Sequence, residues 1–177
     1  MSIDTFRVAT KSDAKAISHL VNRAYRPESG FFGWTHESNL VSGSRTNDAQ
    51  VAEIMSKPDS AVLIGLNDSE LVACIHVEKD GDSSYIGMLA VNPKLQGAGI
   101  GKKMLAQAES YARTNFGSVK LCMVVMSNRS ELISFYLRRG YQKTGRVMDY
   151  PLSAGVGTPK HADTRIEVLE KQAGLTE

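Results

Sequence analysis

Apolar residues recur along this chain in two rhythms. Ile17, Leu20, Val21 and Ala24 fall at helical spacing within AKAISHLVNRAYR, behind Ser12 and Asp13, which stand where helix caps are expected. A second helix is expected from Asp48 to Met55, ended by Pro58, and a third over KKMLAQAESYARTNF, stopped by Gly117. Strand patterns occupy the stretches between. Ile3 to Ala9 forms a first strand, and AVLIGL, LVACIHVE and SYIGMLAV follow through the polar turns NDSE and KDGDS, which predicts an antiparallel meander. VKLCMVVM is apolar throughout, as a buried strand is. NRSELISFYLRRG predicts a further helix, in which Asn128 and Glu131 have the form of a capping box and Gly140 fits the left-handed position past the end. A short strand begins at Tyr141, and TRIEVLEK closes the pattern with Ile166 and Val168 on one face.

Two stretches have no period and are expected as loops: Pro27 to Arg45, with Phe31, Phe32 and Trp34, and PLSAGVGTPKHAD. Strands and helices thus alternate around a mixed sheet, an α/β architecture with α+β character. The 177 residues suit one domain over 1–177, with no internal repeat.

Composition narrows this little: 42% hydrophobic and 23% charged residues are ordinary for a globular chain. Charge narrows it more. A net charge of +2, with lysines and arginines dispersed, argues against a nucleic-acid partner. Cys74 and Cys122 sit in apolar runs without a CxxC or a His/Cys cluster, so reduced thiols are expected and no metal site. No leader pattern opens the sequence and no run of about 18 apolar residues interrupts it, which leads to the expectation of a cytoplasmic protein with no membrane partner.

The chemistry is concentrated in LAVNPKLQGAGIGKKML, Leu89 to Leu105. It is not a P-loop: Lys102 stands where the second glycine is required after Gly97, and for Gly101-Lys102 neither Leu95 nor Gln96 is a glycine and Lys103 is no hydroxyl. Nor is it a dinucleotide fingerprint, because Lys102 or Met104 stands in the third glycine position. What remains is Gln96-x-x-Gly99-x-Gly101 between a strand end and a helix start. Backbone N–H groups unshielded by side chains, at the positive end of a helix dipole and beside Lys102 and Lys103, suit a pyrophosphate. A glycine-rich turn for tight packing is the alternative.

That stretch, followed by an amphipathic helix, a strand and NRSELISFYLRRGY, resembles the GNAT superfamily of acetyl-CoA-dependent N-acetyltransferases, with both signature segments falling between Tyr85 and Tyr141. The resemblance implies the acyl-CoA N-acyltransferase fold: a mixed, largely antiparallel sheet with a splayed central strand pair and flanking helices. It implies acetyl-CoA as acetyl donor and no metal. The pantetheine arm would lie along Leu89, Ala90 and Val91, in the gap between their strand and Val119 to Met126. The pyrophosphate would meet the amides of Gln96, Gly97, Ala98, Gly99, Ile100, Gly101 and Lys102. Asn128 matches a polar residue near the pantetheine, although capping a helix explains it equally well.

Tyr136 matches the family's general acid, positioned to protonate or stabilise a departing thiolate; packing beside Leu132 is its other reading. Tyr85 to Val91 contains no carboxylate to serve as base. His76 and Glu78 share a face of the neighbouring strand and could act through water, or could simply pair across strands. A neutral acceptor would need no base. Acceptor contacts are expected in GFFGWTHESNLVSGSRT and in the late glycine-rich loop, with Phe32 and Trp34 as an apolar wall and Arg45 binding a carboxylate or phosphate, unless the first segment merely packs on the sheet. The implied reaction transfers an acetyl group to a primary amine of a small molecule, amino acid or peptide by direct attack in a ternary complex. The competing class is a non-catalytic module that senses acetyl-CoA. Oligomeric state is left open, a homodimer included.

Overall fold

The computed structural model describes residues 3–26, 41–161 and 164–174. Phe31, Phe32 and Trp34 lie outside them, and so does most of the aperiodic stretch that carries the acceptor expectations.

Nine strands and four helices are present among the described residues. Seven strands form one sheet: β1 (Thr5–Val8), β3 (Ser60–Asn67), β4 (Glu70–Asp80), β5 (Ser83–Val91), β6 (Lys120–Met126), β9 (Arg165–Gln172) and β7 (Gln142–Asp149), side by side in that order. The meander β3-β4-β5 is antiparallel throughout, as the turn chemistry predicts. Only β5 and β6 run parallel.

Alternation along the central strands builds a separate core on each face of the sheet. Ala61, Leu63, Ile75 and Val77 point to one face, where α3 (Ile100–Phe116) packs Met104, Leu105 and Ala108 onto them. Val62, Ile64 and Cys74 point to the other and meet Ile17, Leu20, Val21 and Ala24 of α1 (Ala14–Tyr25), with Val51 of α2 (Asp48–Ser56) beside them. Period-two strands thus fit two helical stripes. Burial of one Leu- or Ile-sized side chain stabilises by roughly 1.5–3 kcal/mol, so these two layers dominate the fold energetics.

Helix ends follow local chemistry with two corrections. Gly99 (φ 77°) and Gly117 (φ 61°) bracket α3 in the left-handed region, and Gly140 (φ 95°) lies just past α4 (Ser130–Leu137), where the sequence places it. Asn128 does not cap α4: it lies exposed in the preceding turn, and Arg129 occupies the cap position with no side-chain cap hydrogen bond. Asp13 closes a short 3-10 turn instead of capping α1 through its side chain. Its carboxylate accepts from the Thr10 N–H at 2.8 Å and pairs with both terminal nitrogens of Arg7.

The two aperiodic stretches meet. Val41 and Ser42 form β2, paired with Pro159 and Thr158 of β8 (Thr158–Pro159). Buried Arg26, at the end of α1, donates from Nη1 to the carbonyls of Gly43 (3.0 Å) and Val156 (2.7 Å), fastening both loops to one helix end.

Two details of the sheet position everything below. β5 and β6 pair only over Ser83–Tyr85 and Lys120–Cys122, after which β5 stays with β4 and β6 with β9, so a gap opens between them. The root of the gap is pinned by the buried hydroxyls of Ser84 and Ser118, 2.6 Å apart, and by the Val119 N–H on the Asp82 carbonyl. Along the open part, Met88 and Leu89 of β5 face Ile75 alone, a bulge that puts Met88 at φ 52°.

At the far edge, Glu109 of α3 accepts from the buried Tyr141 hydroxyl at 2.8 Å and pairs with Lys171 of β9 at 3.1 Å. Glu109→Ala leaves a buried phenol and a half-buried ammonium without their acceptor. We expect a loss of about 2–3 kcal/mol in urea unfolding with an unchanged m-value; a loss under 0.5 kcal/mol would show that water replaces the carboxylate.

Candidate active site

Two cavities open into the gap between β5 and β6. One runs along the outer half of β5 to the start of α3 and is lined by Leu89, Val91, Gln96, Gly97, Gly99, Ile100, Gly101 and Lys102 on one side, and by Phe135 and Arg139 of the α4 region on the other. The second lies between the inner parts of β5 and β6 and reaches Arg26, Arg45 and Tyr150. They share four residues: Tyr25, Arg129, Leu132 and Tyr136.

The first cavity suits an anionic, extended ligand. Gly97 and Gly99 have φ 94° and 77°, and a Cβ on either would meet nothing within 4 Å, so their backbone faces open space and no other residue holds that conformation without strain. Gly101 is helical; a Cβ there would approach Phe135 and Val91 at 3.8 and 3.9 Å and narrow the cleft. The N-terminus of the 17-residue α3 adds the positive end of its dipole. Across the cleft, the Arg139 guanidinium lies 3.9 Å over the Phe135 ring and donates from Nη1 to the Phe135 carbonyl, while its buried Nε has no hydrogen-bond partner among the described residues. A donor left in that state wants an acceptor from outside the chain. The residues present therefore fit a phosphate-bearing thioester carrier.

Of the residues singled out in the sequence, Leu89, Val91, Gln96, Gly97, Gly99, Ile100, Gly101 and Lys102 line this cleft. Ala90 does not, because it faces the opposite core layer with Cys74. Ala98 is exposed in the turn, and neither it nor Asn128 borders either cavity. The carbonyls of Leu89 and Val91 already accept hydrogen bonds, from the Tyr25 hydroxyl at 2.7 Å and from Gln96 Nε2 at 3.3 Å. Each keeps one lone pair for a ligand.

Tyr136 stands at the junction. Its ring is buried against Phe135 and Tyr141, and its side chain borders both cavities. Burial raises its pKa far above the usual phenol range; Tyr25 and Tyr85 act in the same direction and Arg129 against it. The hydroxyl is a proton-bearing donor at any working pH. Arg129, 1% exposed, brings a cation to the same place.

His76 and Glu78 border neither cavity. His76 Nε2 is 2.8 Å from the Ser60 hydroxyl, its ring edge-on to Tyr85, and Glu78 pairs with Lys57 at 3.8 Å. His76 pairs across strands with Ser60, whereas Glu78 pairs with Lys57 in the turn after α2, both on the α1–α2 side of the sheet. Burial, then the nearby cations Lys57 and Arg45, push the His76 imidazole down to about 4. Arg45 lines the second cavity, with its guanidinium carbon 5.6 Å from the centre of the Tyr25 ring.

Sequence reasoning missed Tyr25, Arg129 and Arg139. Tyr25 directly follows the buried stripe of α1, a position that suggests packing. Arg129 and Arg139 flank α4 as charges do on a solvated surface, and only the tertiary fold buries Arg129.

Among the described residues no helix is long and apolar enough to cross a membrane, and no group of three or more potential metal ligands is present.

Comparison with known proteins gives a consistent result. The family model for the acetyltransferase (GNAT) family matches residues 15–141. The S-alkylcysteine N-acetyltransferase of Bacillus subtilis (strain 168) is 26% identical over 151 residues, 80% of each chain. Among solved structures, the ribosomal-protein-S18-alanine N-acetyltransferase of Escherichia coli matches with a TM-score of 0.71 at 14% identity, over 98% of this chain and 96% of that one. A Bacillus anthracis str. Ames protein crystallised with acetyl coenzyme A matches with a TM-score of 0.55 at 21% identity, over 68% of this chain and 66% of that one.

The buried imidazole has a measurable signature. The unfolded His76 protonates near pH 6.5 and the folded one only near 4, so as pH falls the unfolded chain takes up the proton first. Stability is full above pH 6.5 and is lost progressively toward pH 4, by on the order of 3 kcal/mol. We expect the His76 ring resonances to stay in the neutral form at pH 5.5, and His76→Gln to flatten the acid side of the stability profile; titration near 6.5 would place the ring in water.

Proposed function

Because the chain belongs to the GNAT acetyltransferase family, we propose that it transfers an acetyl group from acetyl-CoA to a primary amine of a small molecule, amino acid or peptide by direct attack in a ternary complex. The observation that carries this reading is the meeting of two cavities at Tyr136, Tyr25, Arg129 and Leu132 inside the strand gap. One cavity has the backbone and cations for a phosphate-bearing carrier; the other is a separate route to the same point. The Bacillus subtilis relative is named for action on a small amine of the same general kind. The sensor alternative has no observation in its favour.

When bound, acetyl-CoA supplies an activated thioester, so the chain's own residues need only position, dehydrate and manage protons. The amides at Gly97 to Lys102 and the α3 dipole hold the phosphates, with Lys102 and Arg139 as counter-charges. Leu89, Val91, Leu132 and Phe135 exclude water along the cleft. Tyr136 holds a proton that it would supply to the thiolate leaving group, and Arg129 would stabilise negative charge beside it. Among the described residues no carboxylate or histidine borders the acceptor cavity, and an acceptor that arrives neutral needs no dedicated base.

Incubating a panel of amines with protein and acetyl-CoA while measuring free thiol tests the reaction itself. Thiol release with no amine, and none beyond the uncatalysed rate with every class, would overturn it. In Tyr136→Phe we expect kcat to fall by roughly 10² to 10⁴ where chemistry limits the rate, with little change in acetyl-CoA affinity; a kcat within twofold of the parent would return Tyr136 to the core. Gly99→Glu puts a carboxylate and a side chain into a left-handed position facing the phosphates, so acetyl-CoA affinity by calorimetry should fall by roughly tenfold or more. Unchanged affinity in a folded variant would remove the cradle from this turn.

A further inference from the structure

Resting on the acetyl-transfer reading above, we propose that the acceptor cavity selects an amine that also bears a carboxylate close to the nitrogen, as an α-amino acid does, and that Arg45 binds that carboxylate.

The argument begins with charge. Arg26, Arg45 and Arg129 border the acceptor cavity, and among the described residues no aspartate, glutamate or lysine does. A polycationic acceptor would meet three like charges there, and a juxtaposition of like charges disfavours it. An acceptor with an anionic group has the complementary field.

The three arginines are not equivalent. Arg26 is occupied by the carbonyls of Gly43 and Val156 and by the Tyr150 hydroxyl at 3.4 Å. Arg129 is enclosed at the junction, with the Glu131 carboxylate 3.7 Å from its Nε. The half-buried Arg45 guanidinium touches the Tyr25 ring and makes no ion pair or hydrogen bond with any described residue. It is the cation with its five donors uncommitted.

Its backbone is fixed nevertheless. Asn22 Oδ1 accepts from the Arg45 and Thr46 N–H groups at 2.8 and 3.1 Å, while Asn22 Nδ2 donates to the Thr46 carbonyl at 3.0 Å. A side chain that stacks on an aromatic ring and springs from an anchored backbone loses little freedom on binding a planar carboxylate.

Position sets the distance between the two groups of the acceptor. Tyr25 borders both cavities, so Arg45, resting on its ring, stands near the junction where the amine must react. That placement on the Tyr25 ring suits a carboxylate on the carbon bearing the nitrogen. The remaining wall is apolar, with Met123, Val125, Met126 and Ile166, and takes a hydrocarbon or thioether side chain. The same cationic surroundings favour the neutral form of the amine.

The test uses matched pairs: L-methionine, L-leucine and L-phenylalanine against their α-amides, with the full-length protein, acetyl-CoA and thiol detection. The amides have the more readily deprotonated amines, so a preference for the acids cannot come from easier deprotonation. We expect kcat/KM for at least one acid to exceed its amide by roughly 10-fold or more. In Arg45→Ala that ratio should collapse toward one, mainly through KM, by roughly 10- to 100-fold, and Arg45→Lys should keep part of it. Calorimetry with the N-acetyl amino acids and their amides gives a readout independent of turnover, and acetyl-CoA binding checks that each variant is folded. Equal or better use of the amides in every pair, or an acid preference that survives Arg45→Ala, overturns the proposal. Should no amine turn over while the parent still binds N-acetyl acids over amides through Arg45, the transfer reading falls and the carboxylate site stands. Absence of both turnover and discrimination overturns both.

Discussion

The parting of β5 from β6 is the constraint on which the rest of this structure depends. A sheet interior normally satisfies its backbone groups strand to strand, and an opening in it leaves donors and acceptors that something else must meet. Here the opening is held by several independent devices. Pairing at the root is limited to Ser83–Tyr85 and Lys120–Cys122, the bulge at Met88 and Leu89 re-aims β5, and Tyr25 from α1 meets the Leu89 carbonyl. Each loosens the central sheet locally, and the two thick core layers on either side supply the stability that tolerates it.

The gap has two chemically distinct ends. At the outer end, glycine backbone, a helix dipole, Lys102 and Arg139 favour phosphate; at the inner end, arginines and thioether-rich strand residues surround a cavity of similar volume. Tyr136 and Arg129 separate them. A phenol kept neutral by burial beside a buried cation can donate a proton and tolerate an anion, two properties that seldom coincide in one exposed residue. Their place between two entrances gives the gap two separate routes to one point.

Much of this was legible in the sequence. The meander follows from alternation and turn residues, and the glycine turn from the conformations that only glycine holds easily, now visible as positive φ at Gly97 and Gly99. What was not legible depended on distant pairing. No local rule puts a left-handed Met88 in an apolar strand, because the bulge exists only relative to β4. Arg129 looked like a surface charge until α4 and the strands closed over it. His76 and Glu78 were legible as same-face neighbours, yet period-two alternation cannot say which way that face looks, and it looks toward Ser60 and Lys57. The final β2–β8 pairing, between two stretches without period, had no sequence signal at all.

The buried Ser84–Ser118 contact lies at the root of the gap, away from every reacting group, and there it acts as a pivot. Strands advance about 3.3 Å per residue, so a point five residues out stands roughly 17 Å from that pivot, and a rotation of about 3° moves it by ~0.9 Å. Acyl transfer is sensitive to displacements of that size. Lever geometry therefore magnifies small errors at the root into misalignment at the mouth, and two ordinary serines, one in β5 and one just before β6, set the mechanical tolerance of the whole site.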